Sequence, residues 1–366
     1  MVKMIRTVRY ELPYDKALVD TVRTCTDVFN YWADLAFEHN VSNKNVLHDL
    51  GYHPARERFP LLQSQLFQTV RDTVCEARKA AKTRRGEENP VVRAHPGRGL
   101  RYNERCLSVR GGKISISTIE GRKKYTIVPA PGYEKWLCRS ATLNVHKKRV
   151  FLHCEYQIDA PPVKVWTEED LLGIDRGIKN IVACSDNTII NSKQLRNTKG
   201  KYQHAKAELQ SKGTRSAKRR FIAISGRERR FVTDVNHCIS KLLIGSDFGV
   251  FVLEDLTNIR KNSVKGKMGK RSRKMIGGWV FRQLQMFLEY KAEALGKLVI
   301  YVDPKYTSQK CSCCGHTEKA NRKGHSFRCV KCNFSLNADL NASRNIAELG
   351  RTVFGRVVSQ GPVCSP

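Results

Sequence analysis

A single carboxylate within an apolar run is the feature that most constrains how this chain can fold. Residues 171–178 read Leu-Leu-Gly-Ile-Asp-Arg-Gly-Ile, a strand-like segment in which Asp175 is the only acid. Burying an ionised carboxylate is costly unless the group is paired or bound to a cation. Taken alone, Asp175 is most simply explained as a strand-end residue that faces solvent, so its meaning depends on the rest of the chain.

Further acids occur in comparable positions. Glu254 and Asp255 end a buried-strand pattern, and Asp339 begins a helical pattern over 337–349. The second half of the chain predicts the order β-β-β-α-β-α-β-α, in which acids from the first strand, the fourth strand and a late helix can meet at one edge of a mixed sheet. Carboxylate oxygens bind Mg²⁺ or Mn²⁺. Two such ions about 3.5–4 Å apart can activate water and stabilise the leaving oxygen of a phosphodiester. The acids therefore indicate a nuclease site.

Each of these acids also has a structural alternative. Neighbouring residues of a strand face opposite sides of a sheet, so only one of Glu254 and Asp255 can join the site, and periodicity does not choose between them. Asp339 also fits a simple cap in the first turn of a helix. Asp186 and Asp303 lie in turn-like contexts, and we interpret both as structural.

Four cysteines predict a zinc site. Cys311 and Cys314 form one C-x-x-C pair, Cys329 and Cys332 form a second, and 14 residues separate the pairs. The spacing fits a tetrahedral Cys₄ site, because two residues between thiolates allow a tight turn that aims both at one ion. Cys313 would face away. Four thiolates leave no open position on the ion, so this zinc is expected to be structural.

The charge of the chain is strongly positive. Lys and Arg number 66 against 34 Asp and Glu, a formal net charge of +32, whereas a small soluble domain needs a net charge of only about 2–8. This excess predicts a polyanionic partner, with nucleic acid as the default, because phosphate contacts dominate nucleic-acid affinity. Twelve basic residues lie in 196–230, and eight lie in 258–275 without any acid. The predicted nucleic-acid contacts in these tracts are Lys218, Arg219, Arg220, Arg227, Arg229, Arg230, Lys270 and Arg271.

Nothing in the sequence predicts a membrane partner or export. No apolar run reaches about 18 residues, and the first residues lack the apolar segment of a signal peptide. We therefore expect a cytosolic protein.

The N-terminal half predicts a small β-barrel that is interrupted by helices. Alternating apolar and polar residues predict one strand within 1–13 and five more after residue 96. Helical spacing predicts two helices between them, separated by a loop with a short helix over 40–60. The helices therefore form an insertion after the first strand, and Ala160-Pro161-Pro162 marks a domain boundary.

Motifs of the second half resemble the TnpB family, transposon-encoded RNA-guided endonucleases related to type V CRISPR effectors. Their order and spacing agree with the family over about 166–350. The motifs are Gly173–Gly177 (GIDRG), Val252–Leu256 (VLEDL), Tyr306–Gly315 (YTSQKCSCCG), Phe327–Cys329 (FRC) and Asn337–Ile346 (NADLNASRNI). The N-terminal half is similar to the family in pattern only.

The resemblance implies an α/β and α+β multidomain chain. Its first domain would be a wedge-like β-barrel with a helical recognition insertion, and its second an RNase H-like (RuvC) mixed sheet interrupted by a zinc finger. The implied boundaries are 1–13 and 96–162 for the barrel, 14–95 for the insertion, 166–306 and 336–350 for the nuclease domain, 307–335 for the Cys₄ zinc finger and 351–366 for a mobile tail.

The resemblance also implies an activity. Asp175, Glu254 and Asp339 would bind two Mg²⁺ (or Mn²⁺) ions, which selects Glu254 over Asp255, and the paired cysteines would hold one Zn²⁺. A guide RNA would pair with double-stranded target DNA while the protein reads a short flanking motif. We expect a monomer on RNA in the prokaryotic cytosol or nucleoid.

Related activities stay open at this point. The same fold could serve a nuclease-inactive RNA-guided repressor, although the three intact acids favour cleavage, or a compact type V CRISPR effector. A transposase that joins DNA ends uses the same kind of acidic site. Arg176, where many relatives carry an apolar residue, either contacts phosphate or points to the opposite face of the sheet.

Overall fold

The computed structural model describes residues 3–256 and 281–360. The chain divides into two compact units, Met1–Asp159 and Ala160–Pro366. None of the described helices is both long enough and apolar enough to span a lipid bilayer.

The first unit combines three helices with two antiparallel sheets. Its elements are β1 (Lys3–Leu12), α1 (Lys16–Glu38), α2 (Lys44–Arg58), α3 (Ser64–Arg85), β2 (Leu100–Asn103), β3 (Leu107–Arg110), β4 (Lys113–Thr118), β5 (Gly121–Thr126), β6 (Leu137–His146) and β7 (Arg149–Asp159). One sheet has the order β1-β7-β6-β2 and the other β3-β4-β5. The described strands of this unit therefore form two separate sheets and no closed barrel. Alternation of apolar and polar residues predicts which side chains face the core, but it does not predict how the strands pair.

The helices of this unit follow the predicted pattern with one exception. Asp15 caps α1 by accepting a hydrogen bond from the Ala17 amide at 2.8 Å. The segment predicted as a loop with a short helix is instead the 15-residue helix α2. Gly51 of α2 lies against α1, and a β-carbon there would overlap the side chain of Leu35. This glycine, which suggested a loop, serves close packing between helices.

The second unit is built on a mixed five-stranded sheet. Its elements are β8 (Leu171–Asp175), β9 (Asn180–Cys184), β10 (Ile189–Asn191), α4 (Lys193–Lys212), α5 (Arg215–Ile244), β11 (Val250–Glu254), α6 (Phe281–Glu293), β12 (Leu298–Val302), β13 (Arg322–Lys323), β14 (Ser326–Arg328), β15 (Ser335–Asn337) and α7 (Ala338–Gln360). The sheet order is β10-β9-β8-β11-β12, and β13-β14-β15 form a separate small sheet. β11 is parallel to both β8 and β12, whereas β9 is antiparallel to β8 and β10.

Alternation along β8 and β11 divides the core of this unit into two layers. One face of the sheet packs against α4, α5 and α6, and the strand residues on it are Leu172, Ile174, Phe251 and Leu253. The other face packs against α7, and the strand residues on it include Leu171, Val250 and Val252. Helix α7 is longer than the predicted helix over 337–349. It continues to Gln360, so residues 351–360 extend this helix where the sequence predicted a tail.

Candidate functional site

Two of the predicted acids end neighbouring strands at the same level. β11 pairs with β8 in parallel, and Leu253 lies opposite Ile174. The next residues, Glu254 and Asp175, therefore lie side by side at the carboxyl ends of the strands. Side chains alternate along a strand, so both carboxylates project on the α7 side of the sheet. Asp255 follows Glu254 and is exposed, so the register places Glu254 rather than Asp255 beside Asp175.

Helix α7 carries Asp339 to the same face of the sheet. A β-carbon at Gly173 would overlap the carbonyl oxygen of Ser343 and lie 2.5 Å from the amide nitrogen of Ala347. The absence of a side chain at Gly173 thus allows α7 to cross directly over β8. The Asn337 side chain caps the helix by accepting the Asp339 amide proton at 2.9 Å. Because Asn337 provides the cap, the Asp339 carboxylate is available for the site.

Neighbouring polar groups hold the carboxylates in place. The Thr307 hydroxyl donates to Glu254 Oε1 at 2.6 Å. The side-chain Nδ2 of Asn180 donates to Asp339 Oδ2 at 2.9 Å. On its other oxygen, buried Asp339 pairs with Arg322 Nη2 at 3.2 Å. Each carboxylate oxygen that accepts one of these bonds retains lone pairs for another ligand.

Burial raises the proton affinity of two of these acids, Asp175 and Glu254. Burial, followed by the nearby carboxylates of Glu254 and Asp339, raises the pKa of Asp175 to about 7, against the opposing charges of Arg322 and Arg176. Burial also raises the pKa of Glu254, which the Thr307 hydrogen bond only partly offsets. Such a site carries more negative charge than its own side chains neutralise. A hard divalent cation bound by carboxylate oxygens would supply the missing charge, so Mg²⁺ or Mn²⁺ fits this donor set.

We expect this charge imbalance to lower the stability of the metal-free protein as pH rises from about 4 to about 7. The pKa of Asp175 is about 7 in the folded chain, against 3.8 for an unperturbed aspartate. The folded state therefore binds more protons than the unfolded state in that window, and the free energy of unfolding falls with rising pH. Thermal unfolding in chelator across this range measures the effect, and added Mg²⁺ should raise the unfolding temperature at the upper end.

The matched variant is Asp175→Asn, which has no proton to release at this position. Its unfolding temperature should depend less on pH than that of the wild-type chain. Identical pH profiles for the two proteins would contradict the assignment of a raised pKa to Asp175.

The four predicted cysteines come together in a second cluster. The Sγ atoms of Cys311, Cys314, Cys329 and Cys332 all lie within 4.8 Å of one another. Both C-x-x-C turns are closed by a backbone hydrogen bond, from Gly315 to Cys311 at 2.9 Å and from Asn333 to Cys329 at 3.0 Å. Gly315 and Asn333 adopt positive φ angles of 76° and 58°, which such tight turns favour. Four convergent thiols suit a tetrahedral Zn²⁺ ion, and Cys313 is exposed and outside the cluster.

Hydrogen bonds connect the segment beside the cysteine cluster to the helix that carries one of the carboxylates. Asn341 of α7 donates to the Lys310 carbonyl at 2.8 Å and accepts the Ser312 amide proton at 3.0 Å. Asn345 donates to the carbonyls of Thr307 and Lys310 at 2.8 and 2.6 Å. The segment before the first cysteine pair is therefore anchored to the helix that carries Asp339.

Three polar residues of this site were missed by reasoning from the sequence. Thr307 belongs to a motif that carried the family resemblance, but its bond to Glu254 joins residues 53 positions apart. Asn180 begins β9 and Arg322 begins β13, and neither residue gave a signal of its own in the sequence. All three depend on long-range folding, which local patterns do not encode.

The predicted nucleic-acid contacts occupy the surface of α5. The described ones are all exposed, and none forms an ion pair with a carboxylate among the described residues. They are Lys218, Arg219, Arg220, Arg227, Arg229 and Arg230. Lys270 and Arg271, with the rest of the basic segment 258–275, lie outside the described residues.

A further basic surface in the first unit was not predicted. Arg110, Lys113, Arg122 and Lys124 project from the outer face of the β3-β4-β5 sheet and are exposed. Arg110 and Lys113 lie directly opposite each other, an arrangement of like charges that destabilises a sheet. Within the described parts of the chain, none of the four pairs with a carboxylate. This surface is suited to an anionic partner.

Comparison with known proteins identifies two regions of the chain. A family model described as "Probable transposase" matches residues 153–258, and one described as "Cas12f1-like, TNB domain" matches residues 281–346. These regions contain the sheet strands with Asp175 and Glu254, the four cysteines and Asp339.

Curated proteins with similar sequences include a Cas12f1 endodeoxyribonuclease and a TnpB-like protein. The chain is 29% identical over 241 residues to the CRISPR-associated endodeoxyribonuclease Cas12f1 of Sulfoacidibacillus thermotolerans, covering 57% of this chain and 53% of the relative. It is 39% identical over 132 residues to the TnpB-like protein MJ0751 of Methanocaldococcus jannaschii, covering 35% of this chain and 46% of the relative. The chain thus spans about half the length of these relatives. The resemblance to TnpB proteins is confirmed.

A solved structure shares the fold. The Cas12f1 chain in a cryo-EM structure of a Cas12f1–sgRNA–target DNA complex aligns with a TM-score of 0.63 and 15% sequence identity, covering 90% of this chain and 82% of that one. The mixed α/β architecture with several sheets is therefore similar to that of Cas12f.

Proposed function

We propose that this chain is an RNA-guided, metal-dependent DNA endonuclease of the TnpB type. The observation that carries the proposal is the meeting of three acids from β8, β11 and α7 on one face of a mixed sheet. Burial raises the pKa values of Asp175 and Glu254, and the nearby charges of Glu254 and Asp339 raise that of Asp175 further, as expected for carboxylates arranged to bind cations. The relatives named above include an endodeoxyribonuclease and a TnpB-like protein.

The finer architecture is part of the proposal. The second unit would be an RuvC-like nuclease domain over 166–306 and 336–350, with the zinc finger over 307–335 inserted between its last strand and last helix. The first unit would be a wedge-like domain with the helical recognition insertion over 14–95. The order of strands and helices in the second unit and the Cas12f fold similarity support this division.

Different residues of the proposed site would have different roles in hydrolysis. Asp175, on which the charges of both other acids act, would hold the cations together with Glu254 and Asp339. When bound, two Mg²⁺ ions would activate water and stabilise the leaving oxygen of a phosphodiester. Thr307 and Asn180 fix the orientation of Glu254 and Asp339. The half-buried Arg322 guanidinium is free to exchange its Asp339 contact for a phosphate oxygen.

The partners of the proposed enzyme are a guide RNA and double-stranded DNA. The Cas12f1 complex with similar fold contains an sgRNA and target DNA. In this chain, the exposed basic side chains of α5 and of the β3-β4-β5 sheet would contact phosphates of these partners. Base pairing by the guide would supply sequence specificity.

A cleavage assay separates this proposal from its rivals. The protein, purified with the RNA that accompanies it, is incubated with plasmid DNA carrying the matching sequence beside randomised flanking bases. The proposal predicts linear product with Mg²⁺ and none with chelator. Guide-dependent DNA binding without cleavage would favour a repressor, and strand-transfer products without RNA would favour a transposase. A compact CRISPR effector would give the same cleavage with RNA copied from a repeat array.

Replacing Arg322 with Ala should lower the cleavage rate roughly 10²–10³-fold, the range typical for losing one donor that stabilises charge developing in a reaction. Binding of guide and target should be unchanged, because one partly exposed side chain contributes little to a large phosphate interface. Single-turnover cleavage rates at saturating Mg²⁺ measure the effect.

Lys323→Ala is the matched control for this substitution, since Lys323 is the neighbouring exposed cation of the same β-hairpin. This variant should cleave at close to the wild-type rate. A wild-type rate for Arg322→Ala would remove Arg322 from the proposed site.

A further inference from the structure

Arg176 is buried on the side of the sheet opposite the carboxylates. It follows Asp175 at the end of β8 and is 5% exposed. Its Nη2 donates to the backbone carbonyl of Glu254 at 2.6 Å, and its Nη1 donates to Gln285 Oε1 of α6 at 3.3 Å. Arg176 is therefore not a phosphate contact in this structure. Instead, Arg176 binds the backbone of Glu254, the last residue of the neighbouring strand β11, from the face of the sheet opposite the carboxylates.

A chain of polar side chains continues from this arginine. Gln285 Nε2 donates to Glu289 Oε1 at 3.1 Å, and the Tyr301 hydroxyl donates to the same oxygen. Side-chain hydrogen bonds thus join the residue that follows β8 to α6 and β12, and the Glu254 carbonyl joins this network to β11. Burial lowers the pKa of Arg176, and the nearby charges of Glu254, Asp175 and Glu289 favour its charged form.

Packing alone does not account for an arginine at this position. The same layer of the core is otherwise filled by Leu172, Ile174 and Leu253, and a buried ion pair is rarely more stabilising than well-packed apolar side chains. The Nε of Arg176 is buried and has no hydrogen-bond partner among the described residues, a further cost. Retaining the arginine requires a benefit that an apolar side chain would not provide.

The bond to Glu254 supplies such a benefit. The registered pairs between β8 and β11 end at Leu253 and Ile174, one residue before the two acids. Beyond that pair, the Arg176 guanidinium bonds the Glu254 carbonyl, while the following amide, of Asp255, donates to Val302 of β12 at 2.9 Å. Both the carbonyl and the N–H of the peptide group that joins Glu254 to Asp255 are thus hydrogen-bonded. These bonds fix the backbone position from which the Glu254 side chain extends.

We propose that Arg176 is a positioning residue that sets the distance between the Glu254 and Asp175 carboxylates, with the Gln285–Glu289–Tyr301 network holding it in place. This inference rests on the proposed function, because it takes the two acids to be ligands of a divalent cation.

The test compares divalent-cation affinity in Arg176→Met and Arg176→Lys, using the full chain freed of nucleic acid. Removing an outer partner of a metal ligand typically weakens affinity about 10–100-fold. Arg176→Met should therefore need about 10–100-fold more Mn²⁺ for the same rise in unfolding temperature. Arg176→Lys, which keeps the charge and one donor, should lie between this variant and the wild type. The Mg²⁺ concentration for half-maximal cleavage should shift in the same order.

Lys297→Met is the matched control for the loss of a hydrogen-bonded, partly buried cation. Lys297 donates to the carbonyls of Ile244, Ser246 and Phe248 at the other end of β11 and β12. Its removal should lower the unfolding temperature without changing the Mn²⁺ requirement. Wild-type Mn²⁺ affinity in every Arg176 variant that folds, Arg176→Lys included, would overturn the inference. Absence of a Mn²⁺ effect in the wild-type chain would instead contradict the proposed metal site.

Discussion

Asp175→Asn should lower the rate of target DNA cleavage by about 10³-fold or more while leaving binding of guide and target intact. Metal ions supply several kcal/mol of charge stabilisation in hydrolysis, and about 1.4 kcal/mol corresponds to each tenfold change in rate. Asparagine has the shape of aspartate but lacks the charge that would hold two cations. Single-turnover cleavage and gel-shift assays with the same guide separate the two effects.

The same substitution should not destabilise the metal-free protein. Asp175 is a buried acid whose pKa is raised by burial and by Glu254 and Asp339, so neutralising it relieves repulsion near neutral pH. We expect an unfolding temperature in chelator at least as high as that of the wild type. A loss of activity together with higher stability would be characteristic of a functional residue rather than a structural one.

Asp186→Asn is the control for this prediction. Asp186 lies in the turn after β9, where it accepts hydrogen bonds from the amide and hydroxyl of Thr188 at 2.9 and 3.0 Å. An asparagine there can still accept the amide bond, so cleavage should continue at close to the wild-type rate. Cleavage by Asp175→Asn at a rate similar to that of this control would place the active site elsewhere.

Cys329→Ser should release the zinc ion and inactivate the enzyme. Structural zinc sites contribute on the order of 10 kcal/mol to the folding of small domains, far more than the few residues of β13-β14-β15 can provide by packing. Thr307 and Arg322, which contact Glu254 and Asp339, belong to the segment that the zinc would organise. Zinc content by elemental analysis, and amide exchange over 307–335, should both change, and cleavage should fall with them.

Cys313→Ser provides a stringent control because Cys313 lies between two of the zinc-site cysteines. Its thiol is exposed and stands outside the four-cysteine cluster, so this variant should keep its zinc and its activity. Full zinc content in Cys329→Ser, or loss of zinc in Cys313→Ser, would contradict the assigned ligand set.

The sequence predicted those features that depend on local spacing. The two C-x-x-C pairs each form within one turn, and the basic residues of 218–230 lie on the helix α5. The choice between Glu254 and Asp255 could not be made from alternation within β11. It depends on the pairing of β11 with β8, which brings together residues almost 80 positions apart in the chain.

Other features could not be predicted because the same residue type is compatible with two different structural roles. Gly51 suggested a loop, yet it allows α2 to pack closely on α1, and Gly173 similarly permits α7 to approach β8. Asp339 fitted a helix cap, but Asn337 performs that role. Arg176 was ambiguous between phosphate contact and burial, and only its bonds to Glu254 and Gln285 decide the question.

Reprogramming the guide tests the central claim most directly. The RNA that copurifies with the protein is sequenced, its presumed target-pairing segment is replaced by a new sequence, and the complex is offered a mixture of plasmids with Mg²⁺. An RNA-guided nuclease with Asp175 in its active site should shift cleavage to the plasmid that matches the new guide, and Asp175→Asn should abolish that cleavage. Cleavage that ignores the guide sequence, or that occurs equally without RNA, would contradict RNA-guided endonuclease activity.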